Sequence, residues 1–210
     1  MAPPSAPAPA RKVVLLQVPP GGIVGGHREE KYLFNDLQSV YNGGTSPDAL
    51  LSLGASPIKE ITVVWNEVVE GLSVTYRGPN GTGTVIRTHG TSPSCTDHGI
   101  EKYTIRINSS ETIKEISTRA GATRWGTRVC EISFRIFDET KKTFRTAGPF
   151  GGDSYQGKPA THVAWSGHFA AFGGYAVDSP QSIAKAKESG NDSVGLYGLV
   201  FHEVEFHKKH

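Results

Sequence analysis

The chain of 210 residues carries 22 Lys plus Arg against 20 Asp plus Glu, a formal net charge of +2. That balance removes a general electrostatic case for nucleic acid or an anionic membrane as partner, and the length suits one domain with appended segments. Twenty-five glycines and thirteen prolines, with few long helical periodicities, point to an all-β chain rich in turns, while two cysteines are too few for a disulfide framework.

Residues 1–12 open with a Pro/Ala run that has almost nothing to bury and is expected to be disordered. No stretch of signal-peptide or membrane-spanning length follows, because Val13 to Leu16 is a run of only four apolar residues. The expected location is therefore the cytoplasm, or outside the cell without a classical signal, with no membrane insertion. Val13–Val18 reads as a first strand closed by Pro19-Pro20, beginning a domain expected over residues 13–206. The run Gly21-Gly22-Ile23-Val24-Gly25-Gly26 reads as a glycine turn between strands. Leu37–Pro57 shifts to Gly, Ser, Asn and Pro, with Asp48 placed to cap one helical turn at Ala49–Leu53. It is read as an insertion over one end of the domain.

Regular alternation then begins. Ile58, Ile61, Val63 and Trp65 form one strand, and Leu72, Val74 and Tyr76 the next, before the turn Gly78-Pro79-Asn80-Gly81. Tyr103, Ile105 and Ile107 supply another, followed by Ile113 and Ile116. The loop Thr118–Thr127 places Trp125 beside Gly126. From Arg128 the alternation is strict, with Cys130, Ile132, Phe134 and Ile136 on one face and Glu131, Ser133 and Arg135 on the other. Cys130 is expected to be a buried thiol, a bridge to Cys95 being the alternative. A charged turn at Asp138–Lys142 leads back through Thr143–Thr146. Gly148-Pro149-Phe150-Gly151-Gly152 reads as a corner between sheets. Val163, Trp165, Phe169 and Phe172 resume the apolar pattern. Asp178 or Ser179 as cap, Pro180 at the first turn and Gly190 at the end predict a short helix over 178–190. Leu196–Phe201 is the last strand, and residues 207–210 are a charged tail.

The phrases R-V-C-E-I-S-F, G-P-F-G-G, A-F-G-G, I-K-E-I-T-V-V-W with L-S-V-T-Y, Thr88-His89-Gly90 and Ile113-Lys-Glu-Ile116-Ser117, in that arrangement, resemble the jacalin-related lectins over Ile58–Phe201. The glycine run near residue 25, with Phe34-Asn35-Asp36 after it, resembles that family more loosely. The resemblance implies an all-β fold, the β-prism I of three four-stranded antiparallel sheets, and a non-enzymatic carbohydrate-binding function without cofactors. Family members hold the sugar between the first glycine loop and a G-x-x-x-D segment before the last strand, flanked by a loop after the seventh strand. Carried onto this chain, that implies Gly25 and Gly26, Arg124 and Trp125, and Gly190, Asn191 and Asp192, with N–H groups of Gly26 and Asn191 as donors. The G-x-x-x-D phrase is degraded. If Asp192-Ser193-Val194-Gly195 answers to the family's D-A-I-G, Glu188 stands where glycine belongs; if Tyr197-Gly198 answers to I-G, Gly195 replaces the carboxylate.

An uncleaved chain implies preference for mannose-type glycans, with galactose-type glycans the other family class and homo-oligomer formation left open. Such a site needs a carboxylate or amide, backbone donors and an aromatic platform, which loops gathered at one end of a β scaffold can supply. The alternative is a β-prism protein-interaction module that has lost sugar binding and uses the 37–57 and 178–190 insertions. Eight histidines raise a metal reading, yet His202, His207 and His210 lack ligand spacing, and His89, His162 and His168 read as strand or turn residues. No nucleophile elbow or phosphate loop occurs, and no facing carboxylate pair for glycoside hydrolysis stands out, Glu101, Glu115 and Glu131 falling on outward strand positions.

Overall fold

The computed structural model describes residues 11–19, 22–41, 56–78, 81–152, 161–178 and 194–208. The predicted helix over 178–190 and the helical turn at Ala49–Leu53 lie outside them.

The strands are β1 (Arg11–Val18), β2 (Val24–Gly25), β3 (Leu33–Asn35), β4 (Ile58–Trp65), β5 (Val69–Arg77), β6 (Thr84–Gly90), β7 (Glu101–Arg106), β8 (Glu111–Thr123), β9 (Gly126–Asp138), β10 (Thr143–Gly151), β11 (Thr161–Ser166), β12 (Phe169–Val177) and β13 (Gly195–Lys208). A 3-10 turn at Glu30–Tyr32 and the short helix α1 (Asp36–Tyr41) are the helical pieces among the described residues. None is long and apolar enough to cross a membrane.

Every strand pairing is antiparallel, and three sheets result, ordered β6-β5-β4-β7, β10-β9-β8-β11 and β1-β13-β12-β3. The last also carries β2, which pairs Gly25 with Gly198 and Val24 with Leu199, just beyond Val18 opposite Phe201. β1 and β2 are thus one interrupted edge strand along β13, and this sheet too has four positions. This is the three-sheet prism that the resemblance implied.

The period-2 pattern explains the core. On β9, Cys130, Ile132, Phe134 and Ile136 are fully buried, while Ser133 and Arg135 face out. Tyr76, Phe134, Phe172 and Phe201 are among the largest fully buried side chains, and Phe169 and Phe172 meet Phe201 edge-on at 6.0 and 5.9 Å. The outer face carries cross-strand polar pairs such as Glu115–Arg135, Arg119–Glu131 and Ser117–Ser133, each contributing roughly 0.2–1 kcal/mol. Cys95 and Cys130 are both buried free thiols.

Four readings change. The loop expected at Thr118–Thr127 shrinks to a turn at Arg124 and Trp125, because β8 runs to Thr123 and β9 begins at Gly126. The Gly148–Gly152 phrase is not a corner between sheets: β10 runs through it with a bulge between Ala147 and Phe150, which turns Phe150 into the core against Trp65. The last strand runs on to Lys208, opposite Arg11, because ladder hydrogen bonds need backbone groups and not apolar side chains. Asp36, grouped by sequence with the sugar loop, is 1 % exposed and belongs to the interior. Its Oδ2 accepts from the Tyr76 hydroxyl at 2.6 Å and its Oδ1 from His89 Nε2 at 2.7 Å, with Phe34 stacked on the His89 ring at 3.7 Å. The Tyr76 oxygen in turn accepts the Phe172 N–H at 3.2 Å, so the network ties α1 to two of the sheets.

Candidate functional site

One end of the prism gathers the β2–β3 loop, the β8–β9 turn and the entry to β13. The glycine pair explains how they approach. Gly25 has φ +99°, and a Cβ there would lie 2.3 Å from the Tyr197 carbonyl oxygen; a Cβ on Gly26 would lie 2.3 Å from the Thr127 carbonyl oxygen. Only a backbone without side chains fits between β13 and β9 at this point. The Gly26 N–H donates to the Tyr197 carbonyl at 2.9 Å. The donor assigned to a sugar hydroxyl is therefore used inside the fold, and the role the glycines play is to seat the loop.

Beyond the pair, His27 and Arg28 are exposed. Arg28 extends over Tyr197, its guanidinium carbon 3.8 Å from the ring centre and its Nη2 donating to the phenolic oxygen. Arg128, at the start of β9, lies 3.5 Å from the same ring centre. Two guanidiniums thus stand within cation–π distance of one ring. Arg128 is 2 % exposed; its Nη1 donates to the Leu196 carbonyl at 3.1 Å and its Nη2 to the Val194 carbonyl at 3.2 Å, while its Nε has no partner among the described residues. Burial draws its guanidinium below the ordinary arginine range, opposed by Tyr197 and Glu70. Tyr32 and Tyr175 pack on the small apolar cluster of Val177, Val194 and Tyr197, and the His27 ring lies 5.5 Å from that of Tyr175.

The β8–β9 turn is built locally. Thr123 Oγ1 donates to the Gly126 carbonyl at 2.8 Å and accepts the Trp125 N–H at 3.1 Å. Arg124 stands 4.2 Å over the Trp125 ring and reaches Glu67 at 3.5 Å. Trp125 is half-buried with one ring face covered by a guanidinium. Where β12 ends, Asp178 Oδ1 accepts the Gly90 N–H at 2.8 Å. The described chain resumes at Val194, under Arg128.

Of the residues expected at a sugar site, the structure thus brings Gly25, Gly26, Arg124 and Trp125 to one end, through Thr127 between the glycine loop and the turn. Gly190, Asn191 and Asp192 lie outside the described residues. Sequence reasoning missed Arg28, Arg128 and Tyr197. An arginine just after a glycine pair was the available signal, but its partner stands 169 positions away. Among the described residues no group of three or more His, Cys, Asp or Glu could hold a metal ion.

The Jacalin-like lectin domain family matches residues 39–184. That span contains Arg124 and Trp125 and leaves both the glycine pair and Asp192 outside. No curated protein matches the chain. Among solved structures, frutalin from Artocarpus incisa aligns at a TM-score of 0.53 and 17% identity, covering 90% of this chain and 94% of its own. A Malaysian banana lectin aligns at 0.57 and 14%, covering 93% and 100%. AcmJRL, a mannose binding jacalin related lectin from Ananas comosus, aligns at 0.55 and 16%, covering 93% and 99%. At these identities the likeness is one of fold.

Proposed function

The chain belongs to the jacalin-like lectin domain family, and from that premise we propose that it binds mannose-type or related glycans through the loops at the glycine-pair end of the prism. The observation that supports this reading most is the seating of the β2–β3 loop. Gly25 and Gly26 close it against Tyr197 and Thr127, so that it stands beside the β8–β9 turn. In this reading Trp125 offers the ring face that Arg124 leaves open, Arg124 donates to sugar hydroxyls, and Asp192 with the Gly190 and Asn191 backbone accepts and donates from the segment before the last strand.

Retention on mannose-agarose with elution by free mannose tests it. Asp192→Ala is expected to abolish retention, and Trp125→Ala to weaken binding roughly tenfold, the order of one stacking contact plus its polar neighbour. Binding that survives Asp192→Ala removes that carboxylate from the site. A folded chain retained on neither mannose nor galactose matrices supports instead the protein-interaction module.

A further inference from the structure

We propose that the glycan taken at this end carries an acidic group, a carboxylate or a sulfate or phosphate ester, and that Arg28 receives it. The inference rests on the glycan reading above and names the substrate class of that site.

Three observations on the described residues carry it. First, Arg28 is exposed, and no carboxylate among the described residues lies within 4.0 Å of it. Several ions at this end are already engaged: Lys31 pairs with Glu29 at 2.9 Å, Arg124 reaches Glu67, and Asp178 caps the Gly90 N–H. Second, Arg28 is held in place. Its guanidinium carbon lies 3.8 Å from the Tyr197 ring centre and Nη2 donates to the phenolic oxygen, while Nε and Nη1 have no partner among the described residues. An arginine so fixed loses little further rotamer freedom on binding, and its planar fork matches the paired oxygens of an oxyanion. Third, a second guanidinium stands beside it. Buried Arg128 lies 3.5 Å from the same ring centre, with an Nε that has no partner among the described residues. The Glu70 carboxylate acts on Arg128 inside the fold, which leaves exposed Arg28 as the cation an arriving anion meets.

The chemistry differs from hydroxyl recognition. A neutral sugar would gain one ordinary hydrogen bond from Arg28, whereas an oxyanion gains charge-assisted bonds about twice as strong. The preference weakens with salt, because Arg28 is at the surface.

The test titrates the whole chain, by calorimetry, with methyl α-mannoside, its 6-phosphate and 6-sulfate, and the corresponding uronate. The result expected is that at least one acidic ligand binds roughly tenfold tighter than the neutral glycoside at low ionic strength, and that the gain shrinks in about 0.5 M NaCl. The phosphate and sulfate arms against the uronate arm tell which oxyanion is taken. Arg28→Gln should erase the gain, the acidic ligand losing clearly more affinity than the neutral glycoside loses in the same variant; Arg28→Lys should keep part of it. Acidic ligands that bind no tighter than the neutral one, or a gain that persists in Arg28→Gln, overturn the proposal and leave the lectin reading standing. A folded chain that binds none of the four overturns both.

Discussion

Tyr76 and Tyr197 are both buried, at 0 % and 2 % exposure, and both sit among charged groups, yet the prism uses them in opposite ways. Around Tyr76 the charge is closed. Asp36 accepts from Tyr76 on one oxygen and from His89 on the other, and the phenol oxygen accepts the Phe172 N–H. Burial, then the Asp36 charge, pushes the Tyr76 phenol well above its ordinary value and keeps it a donor. Around Tyr197 the charge is less closed: of two guanidiniums near one ring, buried Arg128 has Glu70 acting on it and an Nε unpartnered among the described residues, while Arg28 is exposed with no described carboxylate within 4.0 Å. A satisfied buried network specifies packing, whereas an exposed cation at a loop end is free to meet a ligand. The contrast separates the part of this molecule that holds the prism together from the part where ligand binding is proposed.

The contrast is broken most forcefully at Asp36. Asp36→Ala strands the Tyr76 hydroxyl and His89 in the core and is expected to cost about 3 kcal/mol, read as a fall in the urea midpoint, with sugar affinity of the folded protein unchanged. A loss below about 1 kcal/mol would mean that the network is no structural keystone.

At the other end, Gly25→Ala forces a Cβ onto the Tyr197 carbonyl at a backbone φ of +99°. About 2 kcal/mol of stability should go, and glycan binding should fall further than global stability explains, because the loop loses its seat.

The smallest effect belongs to neither tyrosine. The Arg145 side chain, bonded to Glu111 at 2.7 and 2.9 Å, holds that carboxyl below its ordinary value of 4.5, aided by the Asn108 N–H and opposed by burial. A depressed carboxyl means that the unfolded chain binds the proton more readily. The pair's contribution is therefore present above about pH 4.5 and lost as pH falls through the folded value. Arg145→Gln should remove about 1 kcal/mol at pH 7 and flatten the acid limb of a stability-versus-pH curve, leaving both tyrosine clusters and sugar binding untouched.

Much of the prism was legible in the residues. Cys130 to Ile136 alternate without error, and a strand with one apolar face has only one way to lie on a core. The phrase near Gly148 misled because Gly and Pro mark bulges as readily as corners, and only the register against β9 separates them. Asp36 misled because burial of a carboxylate depends on donors 40 and 53 positions away. Gly26 was expected to offer its N–H to a sugar, but that N–H donates to Tyr197 and the glycine packs on Thr127 of the same chain.

Local chemistry determined the strands, their inward faces and the presence of a glycine-seated loop, since period-2 burial and the missing Cβ act within a few residues. Which polar groups are sealed and which stay open was decided only when β2 paired with β13 and brought Arg28 to Tyr197 and Arg128. Charge balance is a property of neighbours in space, and antiparallel pairing chooses those neighbours from opposite ends of the chain.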